Sequence, residues 1–486
     1  MRRARAFARV AAVALSFAAA GCGDADRGTD RAPARPPSVV LVTIESLRTD
    51  HVGAYGGRSA TRPDVAITPT LDALAAEAVT YERAHSVTSW TLASHASLFT
   101  GLYPAAHQTQ RPRGSLGEGY DTLAEVLARA GYQTAGVVSG PYLRRMHGLV
   151  QGIEWLDEAP AGVVPARAHS DVTNPAMERG LIEFVELRRD AERPFFLFAY
   201  FWDPHFDFLP PAPYDAMFVD DGVERIDVHD FDTSDTIHPG ISEAELDFVL
   251  SQYDGEIRAT DELLGRFFSL LRARGLWDDA LVIVTADHGE EFFDHGQKGH
   301  KNNLYAETVH VPLFVKYPRG TGPAAGTRDA RLASLVDVAP TVLDVAGVPR
   351  ALRPDVPLDG RSLLAPPDPA RPIFLELLST WYLQRGSRVD VDVERFWAAM
   401  RGDEKLVVHE PRLGRPRREL YDVAADPRET RDLASDPSHA ASVAALGRAL
   451  DAQQAAAREV AARFAAGSDA QLDPEDEQRL RELGYL

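Results

Sequence analysis

Short runs of β-branched and aromatic residues alternate along the chain with longer amphipathic stretches. Continuous apolar runs bounded by turn residues are typical of strands buried on both faces of a sheet. They predict strands at 38–43, 134–138, 195–201, 280–285 and 311–316. Apolar residues at helical spacing predict helices at 69–84, 122–130 and 242–275.

This alternation predicts an α/β fold, with a large mixed, mostly parallel sheet and helices on both of its faces. After about Pro366 the pattern changes to short strands at 373–377, 396–400 and 405–409, followed by helices at 442–466 and 475–483. We therefore expect a catalytic domain at 38–366 and a C-terminal subdomain at 367–486, with a small antiparallel sheet and terminal helices. The acidic segment 207–239 is either a loop over the site or a solvated insertion.

The composition fits a folded globular protein of 486 residues, with 45% hydrophobic and 26% charged residues. The net charge of −20 and the lack of a basic stripe argue against nucleic-acid binding. An anionic substrate therefore needs a positive site built locally. Lysine is scarce, yet Lys298 and Lys301 fall in one short segment.

The N-terminus has the pattern of an export signal. Four arginines precede a short apolar run at 10–20, and the only cysteine, Cys22, follows it. This resembles a bacterial lipoprotein signal at 1–22 with a lipidated Cys22, followed by a flexible linker at 23–37. We expect a membrane-anchored lipoprotein of the bacterial cell envelope, facing the periplasm or the exterior; the alternative is a soluble secreted protein cut nearby.

Acids and histidines follow three of the predicted strands. Glu45 follows the first strand, His205 follows the strand at 195–201, and Asp287 and His288 follow the strand at 280–285. Active sites of such sheets lie beyond the carboxyl ends of the strands, where these side chains should converge. An Asp-His pair in this position is a candidate metal pair.

Eight segments in order resemble the sulfatase family of the alkaline-phosphatase superfamily: 42–56, 68–86, 91–104, 196–205, 282–296, 299–315, 335–349 and 419–434. The resemblance implies an alkaline-phosphatase-like α/β sandwich with a small C-terminal sheet and helix. It also implies one divalent metal held by Glu45, Thr91, Asp287 and His288. Two carboxylates, an imidazole and a threonine oxygen favour zinc or manganese over calcium or magnesium. Relatives that bind two zinc ions have an additional Asp-x-x-x-His motif. In this chain the residue four positions after Asp203 is Asp207 and not histidine, so the motif for a second zinc ion is incomplete.

Thr91 occupies the position of the family nucleophile. Sulfatases carry Cys or Ser at this position, and the side chain is oxidised to formylglycine, a modification that threonine cannot undergo. Lipoteichoic acid synthases and phosphoethanolamine transferases resemble this chain in using threonine. A metal can activate the hydroxyl for covalent catalysis; the alternative is a helix-capping threonine. Ser89 and Ser94 are fallback nucleophiles that do not fit the family position.

The resemblance implies that the substrate anion is contacted by His205, His300 and Lys301. Two of these residues, His205 and Lys301, are also expected to take part in catalysis. His95 replaces a family arginine and either holds the turn or touches the substrate. The lysine-x-histidine of arylsulfatases is absent, since Ser139-Gly140-Pro141 stands in its place.

These features predict an enzyme that cleaves or transfers phosphate-type esters (phosphomonoester, diester or phosphonate) of an anionic small molecule, lipid or glycan. One alternative is a sulfatase working without formylglycine. The other is a non-catalytic surface lipoprotein that binds anionic glycans.

Overall fold

The computed structural model describes residues 35–162, 173–229, 231–385, 388–411 and 413–482, so the predicted signal and Cys22 lie outside the described residues. The strands are β1 Val39–Ile44, β2 Val79–His85, β3 Gln133–Val138, β4 Trp155–Asp157, β5 Phe195–Phe201, β6 Leu281–Ala286, β7 Glu291–Phe292, β8 Lys298–Gly299, β9 Leu313–Lys316, β10 Arg328–Ser334, β11 Ile373–Arg385, β12 Arg388–Arg401, β13 Glu404–Glu410 and β14 Arg417–Asp422. The helices are α1 Pro69–Ala75, α2 Thr91–Thr100, α3 Pro104–His107, α4 Leu123–Arg129, α5 Ala159–Gly162, α6 Asn174–Glu183, α7 Tyr214–Met217, α8 Glu243–Ala273, α9 Ala306–Val309, α10 Val338–Val345, α11 Ala440–Ala461 and α12 Pro474–Glu482.

The large sheet has eight strands in the order β10-β2-β9-β6-β1-β5-β3-β4. Its pairs are parallel except those made by β9, which runs antiparallel to β2 and β6. The prediction of a mostly parallel mixed sheet is therefore confirmed. Every residue of β1, β3, β5 and β6 is buried, as expected for strands covered on both faces.

The register of the three central strands decides where the site forms. Ile44 at the end of β1 is level with Phe201 of β5 on one side and with Ala286 of β6 on the other. The residues that follow these three strand ends therefore emerge side by side at one edge of the sheet.

Strand pairing corrects one predicted element and adds one that the pattern did not predict. The helix predicted at 69–84 ends at Ala75, and the chain continues as β2. Val79 and Tyr81 suit a strand, and pairing of β2 with β9 and β10 outweighs the helical spacing of the apolar residues. The edge strand β10 was missed because its residues, from Arg328 onward, are largely polar and partly exposed.

The C-terminal region contains a four-stranded antiparallel sheet in the order β11-β12-β13-β14, as predicted, with longer first strands than the pattern indicated. It begins at Ile373, and the boundary at residue 366 stays a prediction. Among the described helices, none combines the length and apolar character needed to cross a membrane.

The segment 207–239 is not simply a solvated insertion. Its side chains Phe208, Phe218, Phe231 and Ile237 are almost fully buried. The ammonium of Lys298 donates to two of its carbonyl oxygens, at Ser234 (2.7 Å) and Ile237 (2.8 Å). The insertion is therefore packed against the segment that carries His300 and Lys301, which favours the loop alternative.

Candidate active site

Four side chains from three separate parts of the chain meet at the carboxyl edge of the sheet. Thr91 Oγ1 lies 3.1 Å from Glu45 Oε1 and 3.1 Å from His288 Nε2. His288 Nε2 lies 3.0 Å from Glu45 Oε1 and 3.6 Å from Asp287 Oδ2. All four residues are fully buried. The structure thus brings together the whole predicted metal set.

Thr91 is the first residue of α2, and the N-cap position belongs to Trp90. A capping hydroxyl accepts a hydrogen bond from a backbone amide of the first turn, whereas the Thr91 hydroxyl contacts the side chains of Glu45 and His288, so the geometry does not fit the helix-capping alternative. The hydroxyls of Ser89 and Ser94 donate to the carbonyl oxygens of Asn303 and Asp287 and are held within the protein. Of these three candidate nucleophiles, Thr91 is therefore the one whose hydroxyl contacts the carboxylate of Glu45.

Asp287 and His288 are held by short local contacts. Ser46 adopts a left-handed backbone with φ of 53°, and its amide donates to Asp287 Oδ1 at 3.2 Å. The amide of His288 donates to the same oxygen at 2.9 Å. Nδ1 of His288 donates to the Gly289 carbonyl at 2.8 Å, which directs Nε2 towards Glu45 and Thr91.

This arrangement fits a divalent cation. Asp287 Oδ2 is buried and has no hydrogen-bond partner among the described residues, an expensive situation for a carboxylate oxygen that a metal would satisfy. Burial and the nearby charge of Glu45 raise the pKa of Asp287 well above its usual range. Burial lowers the pKa of His288, but Asp287 and Glu45 outweigh it and raise the value to about 10. A cation shared by these groups would hold both carboxylates ionised and the imidazole neutral.

The expected anion contacts lie beside this cluster. His205 stacks on Trp202, with ring centroids 3.8 Å apart, and burial lowers its pKa to about 4. The rings of His205 and His300 are 5.3 Å apart between centroids. The amide of Lys301 donates to the Ser89 carbonyl at 3.0 Å, and burial lowers the pKa of its ammonium to about 8.

His95 lies behind the cluster rather than in it. Its Nδ1 donates to the Thr91 carbonyl at 2.9 Å, and its Nε2 lies 3.0 Å from Thr43 Oγ1. The side chain is fully buried, and burial lowers its pKa to about 4. With both ring nitrogens bonded to protein, His95 holds the first turn of α2, and the geometry favours this alternative over a substrate contact.

Two residues of the site were missed by sequence reasoning. The hydroxyl of Tyr200, near the end of β5, donates to Glu45 Oε2. The carboxylate of Glu290 lies 3.2 Å from Nδ1 of His300. The one signal for Tyr200 is a hydroxyl at the carboxyl end of a strand otherwise made of phenylalanine, leucine and alanine.

Comparison with known proteins identifies the family of this chain. The family model described as Sulfatase matches residues 37–348, and the model described as N-sulphoglucosamine sulphohydrolase, C-terminal, matches residues 294–456. The multifunctional alkaline phosphatase superfamily protein PehA of Trinickia caryophylli is 28% identical over 67% of this chain and 76% of its own length. Arylsulfatase K of Rattus norvegicus is 24% identical over 68% of this chain and 62% of its own length.

Among solved structures, the phosphonate monoester hydrolase of Agrobacterium radiobacter superposes with a TM-score of 0.66 at 23% identity, covering 87% of this chain and 96% of that one. This likeness confirms the alkaline-phosphatase-like fold. The Sulfatase model alone matches well over half of the chain. The chain therefore belongs to the sulfatase family and is a hydrolase acting on ester bonds.

Proposed function

We propose that this protein is a divalent-metal-dependent enzyme that cleaves or transfers phosphate-type esters through a covalent ester of Thr91. The observation that carries the proposal is the contact of Thr91 Oγ1 with both Glu45 and His288 in a fully buried cluster. Threonine cannot supply the formylglycine of ordinary sulfatase chemistry, so the hydroxyl itself must act if the site is catalytic.

The metal is proposed to be zinc or manganese, held by Glu45, Asp287, His288 and the Thr91 hydroxyl. When bound, it supplies positive charge that lowers the pKa of the hydroxyl and stabilises negative charge in the transition state. The helix α2 begins at Thr91, and its N-terminal amides add further positive potential at the same point.

In the proposed reaction, the Thr91 hydroxyl first loses its proton to solvent. Deprotonated Thr91 Oγ1 forms a bond to phosphorus while the bond from phosphorus to the leaving oxygen breaks. The leaving alcohol takes a proton, and we assign its donation to Lys301 from the family resemblance. Burial lowers the pKa of its ammonium to about 8, which leaves it protonated at neutral pH yet able to release the proton. Water or an acceptor alcohol next attacks phosphorus and gives its proton to the neutral Lys301, while the bond from phosphorus to Thr91 Oγ1 breaks. His205 and His300, beside the cluster, are the proposed contacts of the anion oxygens.

A second candidate activity is the hydrolysis of sulfuric esters without formylglycine. It is favoured by the family model and by the similarity to Arylsulfatase K, and the same residues would serve it. The absence of the lysine-x-histidine segment, with Ser139-Gly140-Pro141 in its place, favours phosphate-type esters.

The test is a substrate panel with the zinc- and manganese-loaded protein: nitrophenyl phosphate, a nitrophenyl diester, a phenylphosphonate monoester and nitrophenyl sulfate. We expect turnover of at least one phosphorus ester, and turnover of sulfate alone would reject the proposal in favour of the second candidate. Thr91→Ala should lower turnover about a thousandfold or more. Thr100→Ala, a buried threonine at the other end of α2, should not.

The covalent step has its own measurement. Rapid acid quench during turnover, followed by peptide mass spectrometry, should find the mass of one phosphoryl group on Thr91. An adduct on another residue, or equal rates for the wild type and Thr91→Ala, would reject Thr91 as the nucleophile.

We also propose that the protein is exported and anchored through a lipid on Cys22, on the strength of its position after the signal-like run. The mass of the mature N-terminal peptide tests this. A diacylglyceryl cysteine at its N-terminus would support the anchor, and an unmodified peptide that begins elsewhere would reject it.

A further inference from the structure

A second group of metal-ligand atoms lies next to the first. One ring nitrogen each of His205 and His300 and one carboxylate oxygen of Glu45 all lie within 4.8 Å of one another. Ligands of a tetrahedral zinc ion, each about 2.1 Å from the metal, are about 3.4 Å apart. The three atoms are therefore already near the spacing that one ion requires, and small side-chain movements would complete it.

The two histidines are oriented as metal ligands usually are. Nδ1 of His205 donates to the Phe206 carbonyl at 2.6 Å, and Nδ1 of His300 donates to the Glu290 carboxylate at 3.2 Å. A metal-bound imidazole typically donates its other ring nitrogen to a carbonyl or carboxylate, which fixes its tautomer and its direction. His288, in the first group, makes the same contact to the Gly289 carbonyl. All three imidazoles thus follow one pattern.

The pocket also offers enough acidic ligands for more than one cation. Glu45, Asp287 and Glu290 are three carboxylates with no solvent exposure. Glu290 contacts Nδ1 of His300 and would hold this imidazole in place as a ligand of a second ion.

The residues that make up the two-zinc motif of relatives are not involved. Asp203 Oδ2 accepts hydrogen bonds from the Thr173 hydroxyl and the Asn174 amide, and Asp207 Oδ1 accepts one from the Phe231 amide. Both carboxylates thus help to hold the local backbone. The second group is assembled instead from Glu45, from His205 four residues after the end of β5, and from His300, which is distant in sequence.

We infer that the protein binds two divalent metal ions, one held by Glu45, Thr91, Asp287 and His288, the other by His205, His300 and the shared carboxylate of Glu45. The second ion would be a transition metal such as zinc or manganese, because two imidazoles and one carboxylate suit these ions better than calcium or magnesium. His205 and His300 would then act on the substrate anion through this ion, while Lys301 contacts it directly.

The test is a metal count that needs no substrate. The full-length protein is stripped with a chelator, reloaded with zinc or manganese, passed through gel filtration, and measured by native and inductively coupled plasma mass spectrometry. We expect two ions per chain in the wild type, and one in His300→Asn and in His205→Asn. The control His107→Gln, which changes a buried histidine outside both groups, should keep two.

The manganese-loaded wild type gives a second readout that does not depend on any variant folding. Two ions bridged by one carboxylate should show a spin-coupled electron paramagnetic resonance signal, which His300→Asn should convert to that of an isolated ion. A wild type that saturates at one ion, or a His300→Asn variant that keeps two, would overturn the inference. Because neither measurement uses turnover, a chain without phosphoesterase activity that still binds two ions would reject only the proposed function.

Discussion

Tyr200 offers a sharp test of how the metal cluster is held. Its side chain is fully buried, its hydroxyl donates to Glu45 Oε2, and its ring packs edge-on against His95 with centroids 4.8 Å apart. Tyr200→Phe keeps the ring and removes the hydroxyl. Burial raises the pKa of the Glu45 carboxyl, but the contacts of this carboxylate outweigh burial and hold the pKa below its usual range. His288 has the largest lowering effect, and the hydrogen bond from Tyr200 adds to it. Its loss should therefore disturb the carboxylate while leaving the core packed.

The size of the effect can be bounded in two ways. A buried hydrogen bond to a charged group contributes about 1.5–3 kcal/mol. Loss of a group that orients a metal ligand typically costs about 10–100-fold in metal affinity, or about 1.4–2.8 kcal/mol. We therefore expect Tyr200→Phe to bind zinc or manganese about 10–100-fold more weakly than the wild type.

The assay is competition for metal against a chromophoric chelator of known affinity. The matched control is Tyr132→Phe, which removes another buried tyrosine hydroxyl, one that donates to the Pro37 carbonyl at 2.9 Å. If Tyr200→Phe and Tyr132→Phe bind metal with the same affinity as the wild type, Tyr200 does not position Glu45. An equal fall in thermal stability of both variants with unchanged metal binding would lead to the same conclusion.

Three further predictions concern the rest of the chain. Burial lowers the pKa of His107 from 6.5 to about 3, so between these values the unfolded chain binds a proton that the folded chain does not, and stability falls as the pH falls. In urea unfolding across this window, His107→Gln should remove about 1.4 kcal/mol per pH unit of that dependence, and an unchanged slope would contradict this assignment. Lys405 and Glu429 form a buried ion pair at 2.7 Å. Lys405→Met would leave the carboxylate buried without its partner and should lower the free energy of unfolding by about 3–5 kcal/mol, with partial recovery in the Lys405→Met/Glu429→Leu double variant. Equal stability of all three proteins would contradict this prediction. Lys298→Met removes the contacts that tie down the insertion at 207–239, and limited proteolysis should cut there faster than in the wild type.

The main strands of the large sheet were predictable because short continuous apolar runs, bounded by turn residues, are typical of strands that are buried on both faces. The exceptions show where this reasoning fails. The helical spacing after Pro69 extends past Ala75, but the partners that convert Val79 onward into a strand come from residues more than 200 positions away. The strand β10 lies at the edge of the sheet and pairs with a neighbour on one side only, so much of it is exposed and its sequence is largely polar. It therefore has no apolar run from which a strand could be predicted.

The sequence by itself indicated the family, the first metal group and the threonine in the nucleophile position, because these residues lie in short segments whose order and neighbours can be read directly. Tertiary structure decided which side chains share a contact. The hydroxyl of Tyr200 reaches Glu45 because β5 and β1 are paired in register, and His300 approaches His205 because segments almost 100 residues apart converge. Both ring nitrogens of His95 are bonded within the core, a fact that no spacing reveals. Contacts of this kind depend on distances between backbones set by the whole sheet, and for that reason the second metal group emerges only in the folded chain.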